Sequence, residues 1–427
     1  MTVLSAMPKY EVYKNSGVEW LGEVPKYWTI KRFKHHFSSA MGETILSEDL
    51  IDDGSIPVYS ATEGDHFFGF VNKSNILLKS GDLVIPARGN SIGFPKLVSK
   101  AATCSQTTIY AKKNQEIDSR YSYYYLLGCK HYIFQFTQTA IPQITVDEVK
   151  NNVLICPSIQ EQTAIAKFLD KKTTQIDEAI AIKQKQIDLL KERKQILIQK
   201  AVTQGLDPNV PIRDSGVDWI SEIPNHWSIL PNFALFTERV EPGRDELPLL
   251  SVSIHSGVSK DEISEEENIR GRIKIADKTK YNLVKANDIV FNMMRAWQGG
   301  IGSVSTIGMV SPAYIIATPN NKMNAQYFEY QYRSPIFIQQ MDRFSKGITD
   351  FRKRLYWNEF KRLNTVAPPI GEQKSVVLYI ESSSRKIDKA ISLQFAQIDK
   401  LKEYKTTLIN SAVTGKIKVP NICKLKG

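Results

Sequence analysis

The most regular pattern of apolar residues in this chain is a 4-3-4-3 spacing that occurs twice. Six of the eight positions are apolar in each series, and the two polar positions are equivalent in both. This spacing predicts two long helices, each with a continuous apolar seam. Two matching seams favour helices that pack on each other, and the alternative is that each helix packs on its own domain. The first series is Ile176, Ile180, Lys183, Ile187, Leu190, Lys194, Leu197 and Ala201, and the second is Ile387, Ile391, Gln394, Ile398, Leu401, Lys405, Leu408 and Ala412.

The ends of the first helix have recognisable signals. Ser158 and Glu161 have the spacing of a capping box, which predicts that the helix begins after Ser158. Gly205 and Pro208 predict its end, because glycine favours the conformation that follows a helix and proline cannot continue one.

The repeat extends beyond the seams. Residues 15–30 return as residues 214–229, and both copies contain the spacing Trp-x4-Pro-x2-Trp. Residues 156–206 return as residues 367–417 with shared Pro, Glu-Gln, Ile-Asp and Ala-Val-Thr positions. The intervening stretches differ, which indicates a fixed frame that carries two different inserts. We interpret the tryptophans as anchors of the frame, with ligand stacking as the alternative. The predicted division is a first domain at 1–155, a first helix at 156–206, a linker and second domain at 207–366, and a second helix and tail at 367–427.

Both inserts have the pattern of mixed α/β domains, so the predicted fold class is α+β with an internal duplication. Short apolar runs bounded by Gly, Pro, Asn and Ser predict strands in each insert. Longer apolar-periodic stretches predict a helix near 121–136 in the first insert and one near 324–341, interrupted at Pro335, in the second. The strand runs are 56–59, 66–71, 82–87 and 107–111 in the first insert, and 248–254, 288–294 and 313–317 in the second.

The charge of the chain favours a polyanionic partner. The 427 residues carry a net charge of +11, and much of it lies in the repeated helical blocks. These blocks contain nine Lys and Arg against six Asp and Glu in 156–206, and eleven against five in 367–427. A solvated helix face is the alternative interpretation. Four dispersed cysteines, no secretory signal and no apolar run of membrane-spanning length predict a cytoplasmic protein without a zinc site.

Each insert contains an arginine between a predicted strand and a glycine-rich turn. Arg88 and Arg295 occupy these positions, and an arginine on such a base can donate two hydrogen bonds to a guanine edge. A basic cluster near the end of the second insert suits phosphate contact. For each residue the alternative is a solvated charge or a surface ion pair. The further candidates for base contact are Asn90, Ser91, Gln106, Thr107, Trp297 and Gln298, and those for phosphate contact are Lys346, Arg352, Lys353 and Arg354.

The sequence lacks recognisable catalytic motifs. It has no phosphate loop of the GxxxxGK[ST] type, no motif of the amino-methyltransferases, and no His, Cys, Asp and Glu spacing typical of a metal site. A non-catalytic binding protein is therefore predicted.

The duplicated Ser-Gly-Val-(Glu/Asp)-Trp block, the Pro-x-x-x-Glu-Gln helix entry, the long Ile-Asp helix and Ala-Val-Thr-x-Gly resemble the specificity subunit of type I restriction–modification enzymes. The resemblance implies two target-recognition domains separated by an antiparallel helix pair, each domain reading one half of a bipartite, asymmetric site in double-stranded DNA. It also implies that the helices set the spacer between the halves, that two methyltransferase subunits dock on the frame, and that restriction–translocase subunits complete the complex. The partners would use S-adenosylmethionine, ATP and Mg, and this chain would bind no cofactor. A coiled-coil scaffold that presents two protein-binding domains is the alternative.

Overall fold

The computed structural model describes residues 7–62, 64, 66–134, 142–217, 219–260, 278–320, 323–347 and 349–420. They divide into two compact units, each of which contains one insert and a part of both long helices. Unit 1 comprises Met1–Gln184 with Phe395–Gly427, and unit 2 comprises Lys185–Gln394.

Unit 1 begins with short strands and continues through a mixed α/β region into the first long helix. Its elements in chain order are β1 (Tyr13–Asn15), β2 (Glu23–Pro25), β3 (Thr29–Arg32), β4 (Phe37–Met41), β5 (Ile56–Tyr59), β6 (Gly69–Val71), β7 (Leu83–Pro86), β8 (Lys96–Leu97), β9 (Thr103–Cys104), β10 (Thr108–Lys113), α1 (Ser119–Ile133), α2 (Val146–Asn151), β11 (Val153–Cys156) and the start of α3 (Ile159–Gln204).

Unit 2 contains the end of α3 and then a similar series of elements. They are β12 (Ile212–Asp214), β13 (Glu222–Pro224), β14 (Ser228–Pro231), β15 (Phe236–Glu238), β16 (Leu250–Ser253), β17 (Gly257–Lys260), β18 (Asn282–Val284), β19 (Ile289–Asn292), β20 (Ile301–Ser303), β21 (Gly308–Val310), β22 (Tyr314–Pro319), α4 (Ala325–Tyr332), α5 (Pro335–Phe344), α6 (Trp357–Phe360), β23 (Asn364–Ala367) and the start of α7 (Ile370–Val413).

Each unit contains a four-stranded sheet with the same strand order. The order is β4-β10-β7-β8 in unit 1 and β15-β22-β19-β20 in unit 2, with antiparallel neighbours throughout. All four residues of β7 are buried, as are the first three of β19, which explains their unbroken apolar sequences. The strands and helices predicted in both inserts are present, including the break at Pro335.

Each unit also brings parts of the two long helices together through the predicted seam. Ile176, Ile187, Ile398 and Leu408 are buried, and none of the other apolar seam residues is fully exposed. In unit 1, Asp177 contacts Lys405 and Lys183 contacts Gln397, so these helix segments run antiparallel. This burial agrees with an apolar seam on each helix, and the full residue series of the seam stays a prediction.

The polar seam positions have partners across the helix pair. The Lys194 ammonium lies 2.7 Å from Asp388 in unit 2, and the Lys405 ammonium lies 2.7 Å from Asp177 in unit 1. These two ion pairs occupy equivalent positions in the sequence repeat. A charged group at a seam is costly unless the facing residue matches it, so both pairs favour one helix register over others.

The repeated Glu-Gln signal has a structural explanation. The amide of Gln162 donates to Pro157 O at 2.9 Å and accepts from Asp118 N, the residue that caps α1, at 2.9 Å. The amide of Gln373 makes the same bridge between Pro368 O and Asn324 N, each at 2.8 Å. These buried glutamines therefore hold the start of a long helix against the start of a domain helix.

The second tryptophan of each repeated copy is buried within its unit. Trp28 and Trp227 are each only 1% exposed. Trp227 donates from its indole nitrogen to Glu372 at 2.9 Å, and the equivalent Glu161 accepts from Tyr10 at 2.7 Å. The predicted capping box is half formed. The backbone nitrogen of Glu161 donates to Ser158 Oγ at 3.3 Å, and the Glu161 carboxylate accepts from Tyr10.

Candidate nucleic-acid interface

The first candidate site lies at the connection between β7 and β8. The chain leaves β7 with Ala87 N donating to Thr107 O at 3.0 Å, and Gly93 N donates back to Pro86 O at 2.9 Å. Gly89 has a φ of +80°, which favours glycine because other side chains are strained there. Arg88 is therefore exposed on a short turn at the end of a buried strand, as predicted.

The other candidate base-contact residues of unit 1 differ in their exposure and in their hydrogen-bond partners. Asn90 is exposed beside Arg88, whereas Ser91 is buried and its hydroxyl has no partner among the described residues. Gln106 Oε1 accepts from Ile45 N at 3.0 Å, and Thr107 Oγ1 lies 3.0 Å from Ser60 Oγ. Gln106 and Thr107 thus support the loops around the turn, and their contact with bases stays a prediction.

A cavity of about 380 Å³ lies beside the same turn. Its lining combines the polar residues Asn90, Ser91 and Thr62 with the apolar residues Phe94, Tyr123 and Leu127. The Lys130 ammonium lies 3.1 Å from the centroid of the Phe94 ring. Burial lowers the pKa of Lys130, because transfer from water disfavours the charged ammonium.

The second candidate site is the turn that follows β19. Met294 N donates to Asn292 Oδ1 at 2.9 Å, Arg295 N donates to Asn292 O at 2.9 Å, and Gln298 N donates to Arg295 O at 2.9 Å. Gly299 ends the turn with a φ of +87°. Arg295 is exposed, and its Nη1 donates to Gln298 Oε1 at 2.8 Å. The structure thus brings two predicted base-contact residues into one hydrogen-bonded pair.

Trp297 makes a hydrogen bond across the same turn. Its indole nitrogen donates to Met294 O at 3.0 Å, and the Lys353 ammonium lies 5.0 Å from the ring centroid. Lys353 also contacts Asp342 at 2.7 Å and Asp350 at 3.2 Å. Hydrogen bonds to these carboxylates raise the pKa of Lys353. Trp297 and Lys353 therefore have partners within the unit.

The basic cluster of the second insert lies against the Arg295 turn. Lys346 and Arg354 form an antiparallel backbone bridge, with both hydrogen bonds at 2.8 Å, which brings the two ends of the basic segment together. Leu355 N donates to Met293 O at 2.9 Å, which fixes the end of this loop beside the Arg295 turn. Lys346 contacts Glu359 at 2.5 Å and keeps a side chain that is 70% exposed, and Arg352 is exposed. The phosphate role of the four basic residues stays a prediction.

Comparison with known proteins agrees with this arrangement. Residues 25–192 match the family model described as the type I restriction modification DNA specificity domain. The chain is 24% identical to the type I restriction enzyme MjaVIII specificity subunit of Methanocaldococcus jannaschii, over 93% of this chain and 95% of that one. The chain is a type I restriction–modification specificity subunit.

Further relatives support the same family and fold. The specificity subunit is 22% identical to the putative type I restriction enzyme MjaX specificity subunit of Methanocaldococcus jannaschii, over 70% of this chain and 68% of that one. Its fold matches a solved chain from a type I R-M system with a TM-score of 0.66 at 11% identity, covering 91% and 98% of the two chains. It also matches the HsdS subunit from Thermoanaerobacter tengcongensis with a TM-score of 0.52 at 11% identity, covering 94% and 100%.

Among the described residues of the specificity subunit, no helix has the length and hydrophobicity of a membrane span.

Both predicted arginine turns are present, with Arg88 after β7 and Arg295 after β19. Sequence analysis missed the link between Arg295 and Gln298, although their i, i+3 spacing in a short turn was a usable signal.

Proposed function

We propose that each unit of this specificity subunit reads one half of a bipartite, asymmetric site in double-stranded DNA. The observation that carries the proposal is the pair of exposed arginines, Arg88 and Arg295, which end buried strands at equivalent places of one topology. The side chains around them differ, so the two turns would recognise different base sequences. Direct contact with base edges supplies specificity, because each base pair presents a different set of donors and acceptors in the major groove.

Phosphate contacts would supply the sequence-independent part of the affinity. The net charge of +11 supports this role, and Lys346 and Arg352 are exposed beside the Arg295 turn. Lys353 and Arg354 belong to the same loop. Because phosphate contacts release counterions, binding should weaken steeply as the salt concentration rises.

The chemistry would come from the partner subunits. Two methyltransferase subunits would dock on the helical frame and use S-adenosylmethionine, and restriction–translocase subunits with ATP and Mg would complete the complex. This chain would be non-catalytic and would bind none of these molecules itself. The proposal rests on the family and on a sequence without the motifs of those activities.

The two long helices would set the number of unread base pairs between the half-sites. Support comes from their continuity, since α3 spans 46 residues and α7 spans 44. The seam and its two lysine–aspartate pairs favour a single register, which a spacing element needs. The alternative function, a scaffold for two protein-binding domains, is not favoured by the family match.

The test is reconstitution of the complex from purified subunits. The chain alone should bind DNA with a strong salt dependence and transfer no methyl groups. Addition of its methyltransferase partner should produce methylation at a single bipartite sequence. A methyltransferase mixture that modifies the same sites without this chain would refute the proposal, as would methyl transfer by the chain alone.

A further inference from the structure

The Arg295–Gln298 pair has a chemical polarity that follows from its hydrogen bond. A guanidinium has five donors and no acceptor, so the Gln298 atom that faces Arg295 must be Oε1. The structure has this arrangement, with Arg295 Nη1 donating to Gln298 Oε1 at 2.8 Å. The amide nitrogen of Gln298 is consequently directed away from the guanidinium, and rotation of the amide would place two donors against each other.

The outward edge of the pair therefore consists of donors alone. The remaining Arg295 nitrogens and Gln298 Nε2 have no partner among the described residues. Free glutamine would offer either an acceptor or a donor to a base, and its pairing with Arg295 removes this choice. A ligand of this edge would therefore have to present two or more acceptors.

The turn holds this edge in a fixed position. Phe291 and Ala296 on either side of Arg295 are fully buried, and Gly299 has a left-handed φ of +87°. The Asn292 side chain accepts from Met294 N, and Trp297 donates to Met294 O. Because the backbone is held on both sides, the arginine and glutamine stems have little freedom to exchange roles.

Base edges differ in how well they match such a site. In the major groove guanine presents two adjacent acceptors, N7 and O6, whereas adenine and cytosine present amino donors and thymine presents one acceptor beside a methyl group. We propose that Arg295 reads a guanine in the half-site recognised by unit 2, and that Gln298 donates to an acceptor on the adjacent base pair. This inference rests on the proposed function and adds the base identity to it.

The test compares methylation maps of complexes that contain different versions of this chain. The substrate is a DNA library in which every position of the unit 2 half-site is randomised. Wild type should require a G·C pair at one position or more. Arg295→Lys keeps the charge but loses the planar fork, so it should reduce the preference for that G·C pair by about 5- to 150-fold, the range of one bidentate contact.

Gln298→Glu separates the two roles. The carboxylate can still accept from Arg295 but replaces the outward donor by an acceptor. The G·C requirement should therefore remain, while the adjacent position should shift toward a base that offers an amino group, adenine or cytosine. Arg88→Ala is the matched control, because it alters the equivalent arginine of unit 1 and should leave this half-site unchanged.

Two outcomes would overturn the inference while the proposed function stands. One is a bipartite wild-type site whose unit 2 half contains no fixed G·C pair. The other is an unchanged unit 2 half-site in both the Arg295→Lys and the Gln298→Glu complexes. Failure of the proposed function would look different, since methylation would then not depend on this chain at all.

Discussion

Gly415 and Gly205 each follow the end of a long helix, one residue apart in the register of the repeat. Their replacement by alanine tests how the repeated frame holds each unit together. Both residues have a left-handed backbone, with φ values of +74° and +76°. A Cβ at Gly415 would lie 2.6 Å from Pro25 Cγ and 3.2 Å from the ring of Trp28. A Cβ at Gly205 would lie 3.0 Å from the ring of Trp227 and 3.9 Å from Pro224 Cγ.

The two substitutions should therefore differ in cost. In each case a left-handed alanine lowers the free energy of unfolding by about 1–2 kcal/mol. The reduced freedom of the unfolded chain offsets about 0.4–1 kcal/mol of this loss. Gly205→Ala should thus cost about 1 kcal/mol in all. Gly415→Ala adds the overlap with a rigid proline ring, for which about 1–3 kcal/mol is typical, so its total should be about 2–4 kcal/mol.

Hydrogen–deuterium exchange with peptide resolution measures these costs separately in the two units, which a single melting temperature cannot do. Gly415→Ala should lower the opening free energy of unit 1 by more than Gly205→Ala lowers that of unit 2. Gly371→Ala is the control, because a Cβ there meets no atom within 4 Å, and it should be neutral or slightly stabilising. Equal costs at Gly415 and Gly205, or a larger cost at Gly205, would refute the packing argument.

Three further predictions concern the helices and the basic loop. A double-mutant cycle on Lys405 and Asp177, whose side chains are 29% and 56% exposed, should give a coupling free energy of about 0.2–1 kcal/mol in chemical denaturation. A coupling of zero would mean that this ion pair does not stabilise the helix register. Arg352→Ala should weaken binding to cognate and random DNA alike and lower the salt slope by about one unit, whereas an unchanged slope would make Arg352 a solvated charge. Insertion of four helix-favouring residues within 183–186 adds about 6 Å, so a methylation map should show a gap longer by one or two base pairs at about 3.4 Å each with both half-sites retained. An unchanged gap would refute the spacing role.

Much of the fold could be predicted from local patterns. The seam, the helix ends and the buried strands depend on residues close together in the sequence, such as the 4-3-4-3 series or the four apolar residues of β7. The arginine turns were predicted for the same reason, because Arg88 precedes Gly89 and Arg295 lies four residues before Gly299, and both glycines have a left-handed backbone.

The partners of individual side chains could not be predicted, since they depend on segments that are distant in sequence. Lys353 is one example, since its ammonium lies 2.7 Å from Asp342 and 3.2 Å from Asp350, and its phosphate contact stays a prediction. The backbone bond between Leu355 and Met293 places the basic loop beside the Arg295 turn, and no periodicity in either segment indicates that contact.

The central claim, that each unit reads one half of the DNA site, is tested most directly by a genome-wide methylation map of the complex with wild-type chain, with Arg88→Ala and with Arg295→Ala. Each substitution should relax the sequence of one half-site, a different half in each case, and leave the other half and the gap unchanged. Relaxation of both halves by a single substitution, or of neither half by either one, would contradict the account.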